Sequence, residues 1–135
     1  MPKFGGASTR HLETCDPRLQ AVFNEVIKHF DCSVICGYRN EADQNDAFAK
    51  GRSKLKFPHG NHNKSPSRAV DVMPYPVNWS GASGNVEQIT LFAGFVLGVA
   101  ATMGIKIRWG HDWNRDMKPD VRGFVDRPHY ELVDD

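Results

Sequence analysis

At 135 residues the chain is long enough for one domain that buries about two-thirds of its unfolded surface. A hydrophobic content of 40%, a charged content of 24% and a net charge of +1 are ordinary for a globular chain. They argue against broad electrostatic capture of nucleic acid, which needs a strongly basic face. Cys15, Cys32 and Cys36 have no Cys-x-x-Cys spacing, which argues against a thiolate metal site. They read as reduced thiols, with Cys36 a small core residue. Residues 1–6 hold no apolar stretch of signal-peptide length, so cytoplasmic synthesis is expected.

Asp16 is a good N-cap and Pro17 a good first helical residue, because the missing N–H would be unsatisfied there anyway. Leu19, Val22, Phe23, Val26, Ile27 and Phe30 then fall on one face, which predicts a core helix over residues 16–30. Residues 33–36 read as a strand that turns at Gly37 into Tyr38 and Arg39. A second helix is expected from the Asn40 cap to Gly51, which suits the left-handed position after a helix. Residues 52–66, with Pro58, Gly60 and Pro66, read as an irregular loop. Residues 69–73 follow as a strand stopped by Pro74 and Pro76, and residues 77–83 as a loop.

Residues 88–105 carry no charge and approach the length of a bilayer span. Gln88, Thr90, Thr102 and the glycines at 94, 98 and 104 favour a buried core helix ending near Gly104, without stable membrane insertion. Residues 105–109 alternate like a strand. Residues 110–122 read as a surface loop, and 123–125 and 129–133 as the last extended pieces. Helices and strands without regular βαβ alternation predict an α+β domain: a small antiparallel sheet packed with about three helices.

Three metal-ligand residue types stand in two short stretches. His62 and Asp71 belong to the first, and His129 to the second, Asp126-Arg127-Pro128-His129-Tyr130-Glu131-Leu132. Two imidazoles and one carboxylate would leave a tetrahedral Zn²⁺ one open position, as a catalytic zinc requires. Asp126, three before His129, would handle the proton of the attacking water. The plain alternatives are histidines satisfied in the core or on the surface, and Asp71 in a buried ion pair with an arginine.

The segments Ile35-Cys36-Gly37-Tyr38-Arg39, Gly51-Arg52-Ser53-Lys54-Leu55, His62 through Asp71, Trp109-Gly110-His111-Asp112-Trp113 and Asp126 through Leu132 occur in this order along nearly the whole chain. Together they resemble the peptidoglycan peptidases of the VanY and D-Ala-D-Ala dipeptidase superfamily. Within it they are most similar to the phage endolysins that are L-alanyl-D-glutamate peptidases. That resemblance implies the zinc D-Ala-D-Ala peptidase-like (hedgehog/DD-peptidase) fold as a single catalytic domain over residues 1–135, without a separate wall-binding domain. It implies one Zn²⁺ per chain on His62, Asp71 and His129, and Asp126 as catalytic acid/base.

It also implies that Arg39 stabilises the oxyanion and orients substrate; a surface ion pair with Glu41 or Asp43 is the plain alternative. Trp113 is expected to wall the substrate cleft or simply to pack on the sheet, and Tyr130 and Leu132 to be core partners. Gly60 stands where the commoner pattern has Ser, and the gap from His62 to Asp71 is longer, as in the phage branch. His59 is a competing ligand. His111 stands where relatives tend to have Gly, and no role follows for it.

The implied substrate is bacterial peptidoglycan, cut between L-Ala and D-Glu by a monomer for host lysis. The enzyme would be made in the host cytoplasm and let through by a membrane-permeabilising phage protein. A D,D-carboxypeptidase or D-Ala-D-Ala dipeptidase, a zinc-bound wall-binding module without catalysis, and a metal nuclease are the competing functions.

Overall fold

The computed structural model describes residues 2–80 and 83–134, the side chains of residues 83 and 84 excepted. Of the expected 77–83 loop, residues 81 and 82 lie outside those described. Among the described residues the order is α1 (Gly6–Glu13), α2 (Pro17–Val26), β1 (Cys32–Cys36), α3 (Glu41–Ala49), a 3₁₀ turn (Asn61–Asn63), β2 (Ala69–Pro74), α4 (Ser83–Thr102), β3 (Ile107–Trp109) and β4 (His129–Leu132). The strands form one antiparallel sheet in the order β1-β2-β4-β3, an α+β fold with four helices where about three were expected.

The alternation of the strands decides what each sheet face carries. Val70 stands opposite Tyr130, and Val34 opposite Val72, on a face buried together with Leu132, Ile107 and Trp109. Helices α2 and α4 cover this face. Phe23 meets Tyr130 edge-on at 5.5 Å, and Phe92 does so at 6.4 Å. Each such buried side chain contributes roughly 1.5–3 kcal/mol. In α4, Ile89, Phe92, Ala93, Val96 and Ala100 recur at helical spacing and are buried, so the uncharged segment has a core-facing side.

The local end signals act where the sequence places them. Asp16 accepts from the Arg18 N–H, Asn40 accepts from the Asp43 N–H, and Gly51 adopts φ +74°. Three boundaries differ. α2 ends at Val26, and residues 27–30 continue as turns while Phe30 packs on Phe92 at 5.0 Å. β3 starts at Ile107 because Gly104, at φ +69°, lets the Ile105 N–H turn back onto the Ala100 carbonyl and close α4. Residues 123–125 form no strand; the Phe124 carbonyl instead accepts the Trp113 indole N–H at 2.7 Å.

α1 was not expected. With Gly5 at its N-cap and only eight residues it has weak local signals, and it depends on docking. Its Ser8 hydroxyl accepts the Val34 N–H at 3.0 Å.

Candidate active site

The opposite face of the sheet carries the site. Asp71 on β2 stands across from His129 on β4, and Ala69 from Glu131. Arg108 on β3 stands across from the same Glu131. His62 comes from the 3₁₀ turn, whose approach is fixed by the Arg39 N–H on the His62 carbonyl at 2.8 Å. At the β1 end, Gly37 has no room for a side chain; a Cβ would strike the His11 carbonyl and the Thr14 hydroxyl. Gly110 is equally constrained, by the backbone carbonyl of Asp126. These two close approaches account for the glycines in the Cys-Gly-Tyr-Arg and Trp-Gly motifs.

His62 Nε2 lies 3.2 Å from Asp71 Oδ1 and 3.2 Å from His129 Nδ1, and His129 Nδ1 lies 3.4 Å from Asp71 Oδ1. Four-coordinate bonds of about 2.0–2.1 Å at tetrahedral angles put donor atoms about 3.3–3.4 Å apart. The second nitrogens are already engaged: His62 Nδ1–H donates to the Gly37 carbonyl at 2.7 Å, and His129 Nε2–H to Glu131 Oε1 at 2.7 Å. Both remaining lone pairs therefore point at each other and at a carboxylate oxygen. Three acceptors converging in a buried place repel one another unless a cation stands between them. The donor set thus fits a metal ion, and all three residues are buried.

The titration of these groups expresses the same demand for positive charge. Burial is the largest influence on both rings and favours their neutral forms. Asp71 outweighs it, bringing His62 up to about 10 and, with help from Glu131, His129 up to about 9. Burial also acts against ionised Asp71, yet the two rings hold its carboxyl well below the usual carboxylate range.

Asp126 Oδ2 stands 3.7 Å from His129 Nδ1. Burial, and then the charge of Asp71, push its carboxyl up to about 6 against the opposing pull of His129, His62 and Arg39. Its place is set by the Asp126 N–H on the Gly110 carbonyl at 2.7 Å. Arg39 makes no ion pair with Glu41 or Asp43. It reaches Asp71 Oδ2 at 3.4 Å and the Gln44 side-chain oxygen at 3.1 Å. The ligand and ion-pair readings of Asp71 are therefore compatible, one oxygen serving each. A cleft of about 890 Å³ opens here, lined by Arg39, Asp71, Asp126, Cys36, Trp79 and Phe124 among others.

Trp113 packs against the His129 ring at 5.6 Å, with the Arg108 guanidinium over its own ring at 5.8 Å. His59 is exposed and outside the cluster. His111 is buried and closes its loop: Nε2–H donates to the Asp120 carbonyl at 2.9 Å, and the Asp120 N–H donates back to the His111 carbonyl at 2.7 Å. Cys36 is half-buried at the cleft with Sγ 4.0 Å from His62 Nδ1, which corrects its assignment to the core. A register shift between Val34 and Cys36 sets it beside Asp71.

Sequence reasoning missed Glu131. It receives His129 on one oxygen and Arg108, at 2.7 and 3.2 Å, on the other. Despite burial, which acts the other way, the His129 hydrogen bond and Arg108 hold its carboxyl down at about 2. The available signal was its spacing of two from His129, which puts both on one strand face.

Residues 1–133 match the family described as phage L-alanyl-D-glutamate peptidase. The chain is 30% identical over 139 residues to the L-alanyl-D-glutamate peptidase of Escherichia phage T5, covering 97% of this chain and 98% of that protein. Its fold is also that of a Serratia marcescens L-Ala D-Glu endopeptidase crystal structure, with a TM-score of 0.71 at 23% identity, covering 97% of this chain and 90% of that one.

Proposed function

This chain belongs to the phage L-alanyl-D-glutamate peptidase family, and from that premise we propose that it hydrolyses the L-Ala–D-Glu amide of peptidoglycan stem peptides. The observation that carries the reading is the three-donor cluster with a fourth carboxylate, Asp126, beside it. A purely structural ion has no need of that carboxylate.

His62 Nε2, Asp71 Oδ1 and His129 Nδ1 would hold one Zn²⁺, which supplies Lewis acidity toward the substrate carbonyl and lowers the pKa of a bound water toward about 7. Asp126 takes a proton from the attacking water as its oxygen bonds to the carbonyl carbon. It delivers that proton to the leaving D-Glu nitrogen as the C–N bond breaks. In the metal-free protein burial lifts this carboxyl to about 6, and burial is the influence that keeps it ready to hold a proton between the two halves of the transfer. Arg39 offers an always-charged planar fork to the developing oxyanion and orients the substrate. Trp113 holds the His129 side of the cleft by packing on that ring.

The family match over residues 1–133 supports one catalytic unit along the chain. In this reading the protein is a monomeric endolysin, made in the host cytoplasm and reaching the wall after a phage protein permeabilises the membrane. Digestion of purified sacculi tests the bond: a new D-Glu amino terminus by mass spectrometry is expected. Released D-Ala or D-Ala-D-Ala would move the assignment to a carboxypeptidase or dipeptidase. Activity should disappear with chelator and return with Zn²⁺, and lysis of intact cells by added protein should require permeabilisation.

A further inference from the structure

α3 places a glutamine, not an apolar residue, in the interior between Arg39 and the loop over residues 52–55. Gln44 is 1% exposed, and its amide is fully used. Its oxygen accepts from Arg39 Nη1 at 3.1 Å and from Asn63 Nδ2 at 3.2 Å. Its nitrogen donates to Ser53 Oγ at 2.9 Å and to the Leu55 carbonyl at 2.6 Å. Asn63 follows the ligand His62 and also donates to the Arg39 carbonyl at 2.9 Å, so the arginine is held by backbone and side chain together.

We propose that Gln44 is a positioning residue for the hydrolysis: its side-chain oxygen aims the Arg39 guanidinium into the cleft beside Asp71 without neutralising it. The proposal rests on the role given to Arg39 above. The chemical reason for an amide is specific. An arginine with a free fork has several rotamers, and oxyanion stabilisation requires its donors to be in place before the charge develops. A carboxylate at position 44 would hold the fork equally well, but it would cancel the charge and lose the two donated bonds to Ser53 and Leu55. A methionine would fill the space and hold nothing. The neutral amide orients the cation and keeps its field.

The test is a double-mutant cycle on a defined stem peptide, with metal content and circular dichroism recorded for every variant. Gln44→Met should lower kcat about tenfold to a hundredfold, the cost of a misplaced catalytic group, at unchanged metal content. In an Arg39→Ala background the same change should cost no more than about twofold, because the group it positions is gone. Gln44→Glu should also lower kcat, with KM changing less than kcat. Added guanidinium should restore part of the activity of Arg39→Ala, and less in Arg39→Ala/Gln44→Met.

Equal losses from Gln44→Met in both backgrounds, or wild-type kcat in either Gln44 variant, would overturn the proposal. So would the failure of both Gln44 variants to fold and bind metal, which makes the residue structural. If Arg39→Ala itself keeps full kcat, the role assigned to Arg39 falls first, and the positioning role with it.

Discussion

Beneath α2 and α4, β2 and β4 present Val70, Val72, Tyr130 and Leu132; on the other face, one residue out of step, the same strands present Asp71, His129 and Glu131. The backbone is common to both faces, so the difference is entirely in what the side chains require. The apolar face is stabilised by removal from water and asks only for volume and fit. The polar face is a chain of mutual obligations, from Arg108 to Glu131 to His129 to Asp71, in which each buried group is tolerable because the next one answers it. A slip of one residue in the pairing of β2 with β4 would exchange the faces and destroy both.

The largest break is expected from Asp71→Asn, which leaves the shape and removes the charge that gathers the two rings. Metal content by elemental analysis should fall to near zero and hydrolysis to background; an active, metal-loaded variant would remove Asp71 from the site. Next comes Asp126→Ala, which should slow turnover by about 10²–10⁴-fold with the metal retained. Full activity in that variant would take Asp126 out of the reaction.

On the apolar face, Tyr130→Ala should cost about 3–5 kcal/mol in denaturant unfolding, because Phe23 and Phe92 both lose their partner. A loss under about 1 kcal/mol would contradict that packing. Glu131→Gln is a smaller change on the polar face. It should weaken metal binding by about 10–100-fold in a chelator competition, without shifting the cleavage site.

The smallest effect is on pH dependence. His62 and His129 have pKa values raised from 6.5 to about 10 and about 9 in the metal-free protein. Their contribution to stability is then complete below 6.5 and lost as pH rises through 9 and 10. Calorimetry should show the Tm of chelator-treated protein falling over that interval relative to metal-loaded protein. Parallel curves would mean that the rings do not carry the cluster's positive charge.

How much of this was legible follows from range. The cap at Asp16, the cap at Asn40 and the turn at Gly51 act over a few residues, and each stands where its chemistry points. The family resemblance separated Tyr130 and Leu132, as core partners, from the ligand His129, and both are buried. Glu131 was passed over because its value lies in a partner, Arg108, that only the pairing of β3 with β4 brings within 2.7 Å. Gln44 was invisible for the same reason, since nothing near it in sequence marks an interior amide. Cys36 was misplaced because a register shift, and not composition, turned it to the cleft.

From the chain alone came the inventory: which residues could bind a cation, which could move a proton, which helices and strands would carry them, and the likeness to a peptidase family. The tertiary structure decided convergence. His62 and His129 are 67 positions apart, yet their nitrogens stand 3.2 Å from one another. No local preference encodes such a distance; the pairing of β2 with β4, in the one register that satisfies both faces, brings His129 to Asp71, and the Arg39 N–H on the His62 carbonyl docks the turn that carries His62 against them.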